Sequence, residues 1–255
     1  MTTPRYASLI ICTTPRSGST LLCKLLAATG MAGKPESWFH SPSLSDWLDY
    51  HNLSTDDFPT SEDALRAVFD ATRDKGANGT GVFGLRLQGG SFDYFIEQTA
   101  RLFPDHPSDK ERIEAAFGPT LFLHLTRADK LSQAISRLRA EQSGLWHRAV
   151  SGEELERLSP PADPIYDPDA IARHIDELTA LDTAWEEWFH REGIRPLRIP
   201  YDVLAQEPQR VLRLIVDCLW RGCRDLAPVP IPTAKLADGI NRDWARRFLQ
   251  ENRSL

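Results

Sequence analysis

An arginine, a glycine and three hydroxyl residues follow one another near the start of the chain, between an apolar run and a helical pattern. The apolar run is Leu9 to Cys12, the polar stretch is Thr13 to Thr20, and leucines at helical spacing come next. A strand, a tight loop and a helix in this order direct backbone N–H groups and the positive end of the helix dipole at one point. Arg16 adds a fixed positive charge, and Gly18 allows a ligand to approach the backbone closely. The stretch therefore predicts a phosphate-binding loop.

This loop differs from the one that nucleoside triphosphatases use. Theirs reads G-x-x-x-x-G-K-[ST], in which the lysine reaches the terminal phosphates and the hydroxyl residue holds magnesium. Here Ser19 follows Gly18, no glycine begins the loop, and the charge comes earlier, as Arg16. The pattern favours phosphate binding without magnesium-dependent triphosphate cleavage. Three alternatives stay open: a small-molecule kinase in which Arg16 replaces the lysine, a nucleotide-binding module without catalysis, and a hydroxyl-rich helix cap with an incidental arginine.

Composition indicates one globular domain and no polyanionic partner. The 255 residues are 41% hydrophobic and carry a net charge of −6, so neither nucleic acid nor an anionic membrane surface is expected as a partner. The four cysteines are Cys12, Cys23, Cys218 and Cys223, and no histidine stands near the last pair, so we expect no metal site. Neither a signal sequence nor an apolar run long enough to cross a bilayer is visible. We expect a reduced, cytoplasmic protein.

Short apolar runs alternate with helical patterns along the whole chain, which is typical of an α/β fold with a parallel, doubly wound sheet. We predict strands over residues 9–12, 81–87, 121–126 and 197–200. Helices are predicted after the first loop and over residues 43–50, 60–75, 91–103, 129–142, 167–191, 208–220 and 242–251, with one more beginning at Ser108. Prolines concentrate in residues 144–169, which we interpret as an irregular loop or lid within a single domain spanning residues 1–255.

A second positive charge is expected at the same edge of the sheet as the Arg16 loop. Arg127 directly follows the strand LFLHLT, which is apolar enough to be buried on both faces. In open α/β sheets, ligands bind at the carboxyl ends of the strands. A charge at the end of a buried strand needs a partner there. His124, inside the same strand, is predicted to be a core residue.

A strand, loop and helix with Arg16, followed by a strand ending in Arg127 and a helix carrying Ser136, resembles the sulfotransferases that use 3′-phosphoadenosine-5′-phosphosulfate (PAPS). The chain is more similar still to the bacterial trehalose 2-sulfotransferase family. Four blocks carry this resemblance: TTPRSGSTLL, ATGMAGKPESWF, SQAISRLRAEQSGLW and RDWARRF. The resemblance implies a three-layer, P-loop-like fold with a mostly parallel sheet flanked by helices. It also implies transfer of a sulfuryl group to a carbohydrate hydroxyl without a metal, and a homodimer.

The resemblance also assigns residues to the donor. Those that would cradle the 5′-phosphosulfate are Arg16, Ser17, Gly18, Ser19 and Thr20. Arg127 and Ser136 would take the 3′-phosphate, with Gln133 or Ser132 as further candidates. Tyr201, after the last strand, would lie near the adenine. Arg16 would in addition stabilise the charge that develops on the leaving group, which makes it a candidate catalytic residue.

The candidate general base lies in a loop that departs from the family pattern. That pattern is G-x-P-x-E-aromatic-Phe, whereas this chain reads GKPESWF, so Glu36 comes one residue early. We expect Glu36 to be the base that deprotonates the acceptor hydroxyl, with His40 and Asp46 as alternatives. Predicted acceptor-binding residues are Lys34, Pro35, Glu36, Ser37, Trp38, Phe39 and Trp47. The resemblance implies trehalose or another glycan or glycolipid as the acceptor, and the departure in this loop leaves that choice open.

Overall fold

A computed structural model describes residues 3–148, 151–221, 226–231 and 239–252. The centre of the fold is a parallel four-stranded sheet of order β2-β1-β3-β6. Its strands are β1 (Ser8–Thr13), β2 (Phe83–Gln88), β3 (Thr120–Thr126) and β6 (Leu197–Pro200). The α-helices are α1 (Ser19–Ala28), α2 (Leu44–His51), α3 (Ser61–Ala77), α4 (Gly89–Leu102), α5 (Asp109–Phe117), α6 (Lys130–Ser143), α7 (Pro168–Arg191), α8 (Tyr201–Gln206), α9 (Pro208–Leu219) and α10 (Gly239–Glu251). The predicted α/β fold is confirmed.

The central strand β1 shows why the fold has three layers. All six of its residues are buried, and successive side chains of a strand point to opposite faces. Ile10 and Cys12 join the core cluster that contains residues of α2 to α5 and α7, whereas Leu9 and Ile11 join the cluster with α1, α8 and α9. Because both faces of the sheet are covered by helices, its strands are nearly continuous apolar runs.

The predicted elements are present, with ends that shift by a few residues. Asp129 and Asp167 each accept a hydrogen bond from the backbone three residues on and thereby cap α6 and α7. The interval 144–169 was expected to be irregular, and this prediction is wrong for part of it. Leu145–Arg148 (β4) and Glu154–Arg157 (β5) form an antiparallel hairpin with an irregular register. The prolines lie beyond it, so they do not interrupt the pairing.

The carboxyl edge of the sheet is where β1 and β3 deliver the two predicted arginines. Thr13 ends β1 and aligns with Leu125 of β3, so the Arg16 loop and Arg127 emerge side by side. On the other side, Glu36 forms an isolated bridge with Leu85 of β2, and its carbonyl accepts a 2.9 Å hydrogen bond from the Arg86 backbone N–H. Within the described ranges, no helix is long and apolar enough to cross a membrane. Cys223 lies outside them.

Candidate functional site

The carboxyl edge of the sheet opens into a cleft of about 1550 Å³. Its walls come from the Arg16 loop, the segment after α1, the end of β2, helices α6 to α8 and the β4–β5 hairpin. The predicted site residues that line it are Arg16, Gly18, Ser19, Thr20, Glu36, Ser37, His40, Arg127, Ser136 and Tyr201. Residues predicted separately for donor, base and acceptor therefore face one space.

The loop holds its backbone in two left-handed conformations before α1 begins. Arg16 has φ 62° and Gly18 has φ 88°, the region in which a side chain is disfavoured. Gly18 is the N-cap of α1 and no side chain caps the helix, so its first N–H groups remain available to a ligand. A Cβ atom on Gly18 would lie 2.5 Å from the Tyr201 ring. The glycine is therefore needed both for the turn and for the close packing of Tyr201.

Arg16 and Arg127 place two positive charges beside this loop. Arg16 Nε donates to Ser136 Oγ at 3.0 Å, and its Nη1 donates to the Trp146 carbonyl at 2.5 Å. The Arg127 guanidinium lies 4.8 Å from the centre of the Tyr201 ring, and its buried Nε has no partner among the described residues. Burial, followed by the charge of Arg127, lowers the pKa of Arg16 to about 10.

The surroundings of these two cations would suit an anion. No carboxylate of the described residues lies within 4.0 Å of either guanidinium. The two half-buried cations destabilise each other; the Glu156 charge offsets this in part for Arg16, and a bound phosphate or sulfate would offset it further. Tyr201 adds an aromatic face beside Arg127, which suits the base of a nucleotide.

Two predicted donor ligands lie behind the loop instead of facing the cleft. The Ser17 side chain is fully buried and its hydroxyl is 2.5 Å from the Thr13 hydroxyl. The buried Gln133 amide donates to Thr14 Oγ1 at 3.0 Å and to the Pro15 carbonyl at 2.7 Å. Ser132 does not line the cleft either. Of the three candidates on α6, only Ser136 faces the space beside Arg16, so the prediction of Gln133 as a direct ligand is wrong.

Glu36 and Ser37 both reach the cleft although they are adjacent. The segment pairs with β2 only at Glu36 and turns at Trp38, so the strict alternation of an extended strand does not apply. The Glu36 carboxylate lies 3.0 Å from Lys34 Nζ and accepts a 3.3 Å hydrogen bond from the Tyr50 hydroxyl. Burial, and then the Glu36 charge, raise the pKa of Tyr50, so this hydroxyl keeps its proton.

The aromatic residues predicted to contact the acceptor belong to the core. Trp38, Phe39 and Trp47 expose at most 2% of their surface. Their rings pack with α3, α4 and α5 on one side of the sheet, and the indole N–H groups donate to the carbonyls of Gly84 and Ser41. Large apolar side chains gain more from this burial than from a place in a polar cleft, which is the physical reason for the correction.

Three further predicted residues are also away from the cleft. Pro35 is buried beside β2, and Lys34 contacts Glu36 without lining the cleft itself. The Asp46 carboxylate accepts a hydrogen bond from the Ser41 hydroxyl, and the Asp46 backbone N–H donates to Ser43 Oγ at the start of α2, so Asp46 is part of a helix cap. His40 does line the cleft and stays an alternative to Glu36.

Sequence reasoning missed Arg86, Tyr50 and the hairpin residue His147. Arg86 lines the cleft from β2, where a lone charge in the buried run FGLRLQ was the available signal. His147 Nε2 lies 2.9 Å from Thr20 Oγ1 and 3.3 Å from Glu156 Oε2. Burial, then the charges of Arg16, Arg86 and Lys24, lower the pKa of His147 to about 3, so the ring is neutral at neutral pH.

Thr20 lies between Arg86 and His147. Arg86 Nη1 donates to Thr20 Oγ1 at 2.9 Å, because a guanidinium can only donate. The Thr20 hydroxyl also forms a 2.9 Å hydrogen bond with His147 Nε2. These two contacts hold Thr20 in the wall of the cleft, which it lines.

The comparison with protein families identifies the family of this chain. The family model described as Stf0 sulphotransferase matches residues 8–251. This chain belongs to the Stf0 sulfotransferase family. The match covers nearly all of the described structure, including the loop, the Glu36 segment, both arginines and the hairpin. The protein is thus a member of a transferase family, in agreement with the resemblance seen in the sequence.

Two curated relatives extend over almost the same length. The trehalose 2-sulfotransferase of Mycobacterium tuberculosis is 29% identical over 264 residues, covering 95% of this chain and 94% of that protein. The trehalose 2-sulfotransferase of Mycolicibacterium smegmatis is 29% identical over 261 residues, with the same coverage of 95% and 94%. A solved sulfotransferase domain of the Synechococcus PCC 7002 olefin synthase covers 86% of this chain and 74% of its own, at 19% identity and a TM-score of 0.36. That structural likeness is too distant to bear on the site.

Proposed function

We propose that this member of the Stf0 family transfers the sulfuryl group of PAPS to a hydroxyl of a carbohydrate acceptor. The observation that carries the proposal is that two guanidinium groups without a carboxylate partner, Arg16 and Arg127, share one cleft with the carboxylate of Glu36. A donor with two anionic groups fits the two guanidinium groups. An acceptor hydroxyl that must lose a proton fits the carboxylate. Trehalose is the first acceptor to test, because two relatives carry that substrate in their names.

The donor half of the cleft accommodates PAPS as follows. The free N–H groups at the start of α1, with Arg16, Ser19 and Thr20, bind the 5′-phosphosulfate. Arg127 and Ser136 bind the 3′-phosphate, and the unpartnered Nε of Arg127 supplies one of the donors. Tyr201 contacts the adenine. Ser17 and Gln133 act from behind, since their hydrogen bonds support the loop that carries these groups.

In the proposed reaction, the acceptor oxygen attacks sulfur in line with the leaving oxygen. A new bond forms between the acceptor oxygen and sulfur, and the bond from sulfur to the 5′-phosphate oxygen breaks. Glu36 takes the proton of the acceptor hydroxyl, and adenosine 3′,5′-bisphosphate leaves with the electron pair. Arg16 and the loop amides stabilise the charge that grows on the leaving oxygen, as positioned donors do in phosphoryl transfer.

The first experiment compares ligands by thermal unfolding. Adenosine 3′,5′-bisphosphate at about a hundred times its dissociation constant should stabilise the fold by roughly 2.7 kcal/mol. Magnesium-ATP at the same concentration should give little shift. Stabilisation by magnesium-ATP alone would revive the kinase interpretation and overturn the proposal. Incubation with PAPS and trehalose, followed by mass spectrometry of the sugar, then tests transfer, and a panel of other glycans follows if trehalose is not sulfated.

The role of Glu36 is tested with a matched pair of carboxylates. Glu36→Gln removes the base but keeps the shape, so kcat should fall by about 10²–10⁴-fold while the affinity for adenosine 3′,5′-bisphosphate is kept. Glu177→Gln is the control, because this carboxylate lines the same cleft from α7 and pairs with Arg137. Equal losses in the two variants would mean that Glu36 has no special role, and a loss in His40→Ala alone would transfer the role of base to His40.

Binding without transfer is the outcome expected of a nucleotide-binding module. Retained affinity for the bisphosphate with no product from any acceptor would favour that alternative. The homodimer implied by the family resemblance is a separate proposal, which light scattering during size-exclusion chromatography tests.

A further inference from the structure

The cleft contains a third arginine that neither the phosphate loop nor α6 supplies. Arg86 lies in β2, whose other residues are mostly buried, and its half-buried side chain lines the cleft. Of the described residues, none offers this guanidinium a carboxylate within 4.0 Å. By contrast Arg137, which lines the same cleft, contacts the carboxylates of Glu141 and Glu177, both at 2.8 Å.

The contacts of Arg86 join the two halves of the cleft. Its Nη1 donates to Thr20 Oγ1 at 2.9 Å and lies 3.4 Å from Ser19 Oγ, both on the side proposed to hold the donor. Its Nε donates to Ser37 Oγ at 2.8 Å, on the side of the proposed base. Its backbone N–H donates to the Glu36 carbonyl, so the two elements have a fixed spacing.

Neutral hydroxyl groups do not compensate a half-buried charge. An unpaired charge away from water is unfavourable, and it is stabilised when an anion binds to it. The Nη2 group makes no hydrogen bond within the described part of the chain, so it has hydrogens to donate. Arg16 donates to the Trp146 carbonyl, and Arg86 donates to Thr20 Oγ1, which also contacts the next hairpin residue, His147, so both guanidiniums lie at the same part of the cleft wall.

We infer that Arg86 is a catalytic residue that binds the oxygens of the sulfuryl group while it passes from donor to acceptor. This inference rests on the proposed function. An in-line transfer places sulfur between the leaving oxygen, held by the Arg16 loop, and the attacking oxygen beside Glu36. A guanidinium anchored to Thr20 on one side and Ser37 on the other spans that midpoint. It stabilises the peripheral oxygens throughout the transfer, while bond making, bond breaking and the proton transfer to Glu36 occur as described above.

The inference predicts that replacing Arg86 changes the affinities for PAPS and for adenosine 3′,5′-bisphosphate differently, because these two ligands differ only in the sulfuryl group. Arg86→Met should weaken the binding of PAPS by about tenfold, because a charged hydrogen bond is lost. The affinity for adenosine 3′,5′-bisphosphate, which has no sulfuryl group, should stay within about threefold of the parent value. The kcat for transfer should fall by about 10²–10³-fold, as when one preorganised donor is removed. Arg86→Lys keeps the charge and should recover part of the loss.

The control is Arg137→Met, which removes an arginine from the same cleft wall. Because two carboxylates already pair with Arg137, we expect changes of no more than about threefold in both affinities and in kcat. Melting temperatures of all variants show whether each one folds, and Arg86→Lys replaces Arg86→Met if the latter does not. Calorimetry with the two ligands needs no acceptor, so the comparison remains valid even if trehalose is not the substrate.

Two results would overturn the inference. Equal weakening of PAPS and bisphosphate would make Arg86 a support of the donor pocket in general, and unchanged PAPS affinity with unchanged kcat would leave it with no role. Failure of the proposed function is different and is seen in the parent protein, which would then bind neither ligand. Selective loss of PAPS affinity and of kcat is the expected result.

Discussion

The packing of Tyr201 onto Gly18 leads to a prediction whose magnitude follows from the structure. In Gly18→Ala, the new side chain would have to occupy the left-handed region at φ 88°, which costs about 1–2 kcal/mol. The added Cβ would lie 2.5 Å from Cδ2 and 2.7 Å from Cε2 of Tyr201. Overpacking of this kind destabilises the fold by about 1–3 kcal/mol. The lower conformational entropy of the unfolded chain with alanine offsets about 0.4–1 kcal/mol of the loss. We expect the free energy of unfolding to fall by about 1–5 kcal/mol.

Gly30 provides the matched control. It also has positive φ, 64°, but a Cβ there would meet no atom within 4 Å. Gly30→Ala therefore carries the backbone strain without the steric clash, and we expect a loss of about 1 kcal/mol or less. The difference between the two variants isolates the contact with the Tyr201 ring.

Denaturant unfolding of four proteins measures this contact: the parent, Gly18→Ala, Tyr201→Ala and the double variant. Removing the ring leaves room for the alanine, so the double variant should be more stable than the sum of the single losses predicts, with a coupling energy of about 1–3 kcal/mol. The displaced ring should also weaken the binding of adenosine 3′,5′-bisphosphate to Gly18→Ala. The reasoning would be refuted if Gly18→Ala and Gly30→Ala lost the same free energy of unfolding and if the losses in Gly18→Ala and Tyr201→Ala simply added in the double variant.

Three further predictions concern residues away from the reacting atoms. Gln133→Ala removes both hydrogen bonds that support the loop, so unfolding in urea should show a loss of about 1–3 kcal/mol and calorimetry should show weaker bisphosphate binding; unchanged binding would argue against the support. Trp47→Ala should lower stability by about 3–5 kcal/mol while the acceptor KM of the folded enzyme is unchanged, and a selective rise in KM would restore its predicted role at the acceptor. Burial, and then the charge of Lys75, lower the pKa of His51 to about 4, below the 6.5 of the unfolded chain. As the pH falls, the unfolded chain therefore takes up the proton first, so the stability contributed by neutral His51 is present above about pH 6.5 and is lost as the pH falls towards 4. Between pH 7 and pH 5, the free energy of unfolding of His51→Gln should therefore fall by about 1 kcal/mol less than that of the parent.

The phosphate loop could be predicted from the sequence because its determinants are local. A buried strand, a turn containing Gly18 and a helical apolar pattern specify one another over a short stretch, and the end of β3 places Arg127 at the same edge through the parallel register. The β4–β5 hairpin could not be predicted in this way. Each strand has only four residues and their register is irregular, so the alternating pattern is too short to detect.

The aromatic residues near Glu36 show a different limit. Proximity in sequence suggested that Trp38 and Phe39 share the environment of the candidate base. The chain turns directly after Ser37, however, and sends these rings into the core while Glu36 and Ser37 remain at the cleft. Which side of such a turn faces the core depends on the volume left by helices α3 to α5, and those helices come later in the chain.

The two arginines Arg86 and Arg137 show why an anion site is a tertiary property. Both line the cleft, and both come from elements that periodicity predicts. The two arginines differ in the side chains that contact them: α6 and α7 bring two carboxylates to Arg137, whereas α1 and the Glu36 segment bring hydroxyl groups to Arg86. A guanidinium that is already paired with carboxylates gains little free energy by binding an anionic ligand. A guanidinium that is half-buried among neutral groups gains more, because the anion becomes its counter-ion. Whether a positively charged residue can bind an anion therefore depends on whether the fold places carboxylates next to it.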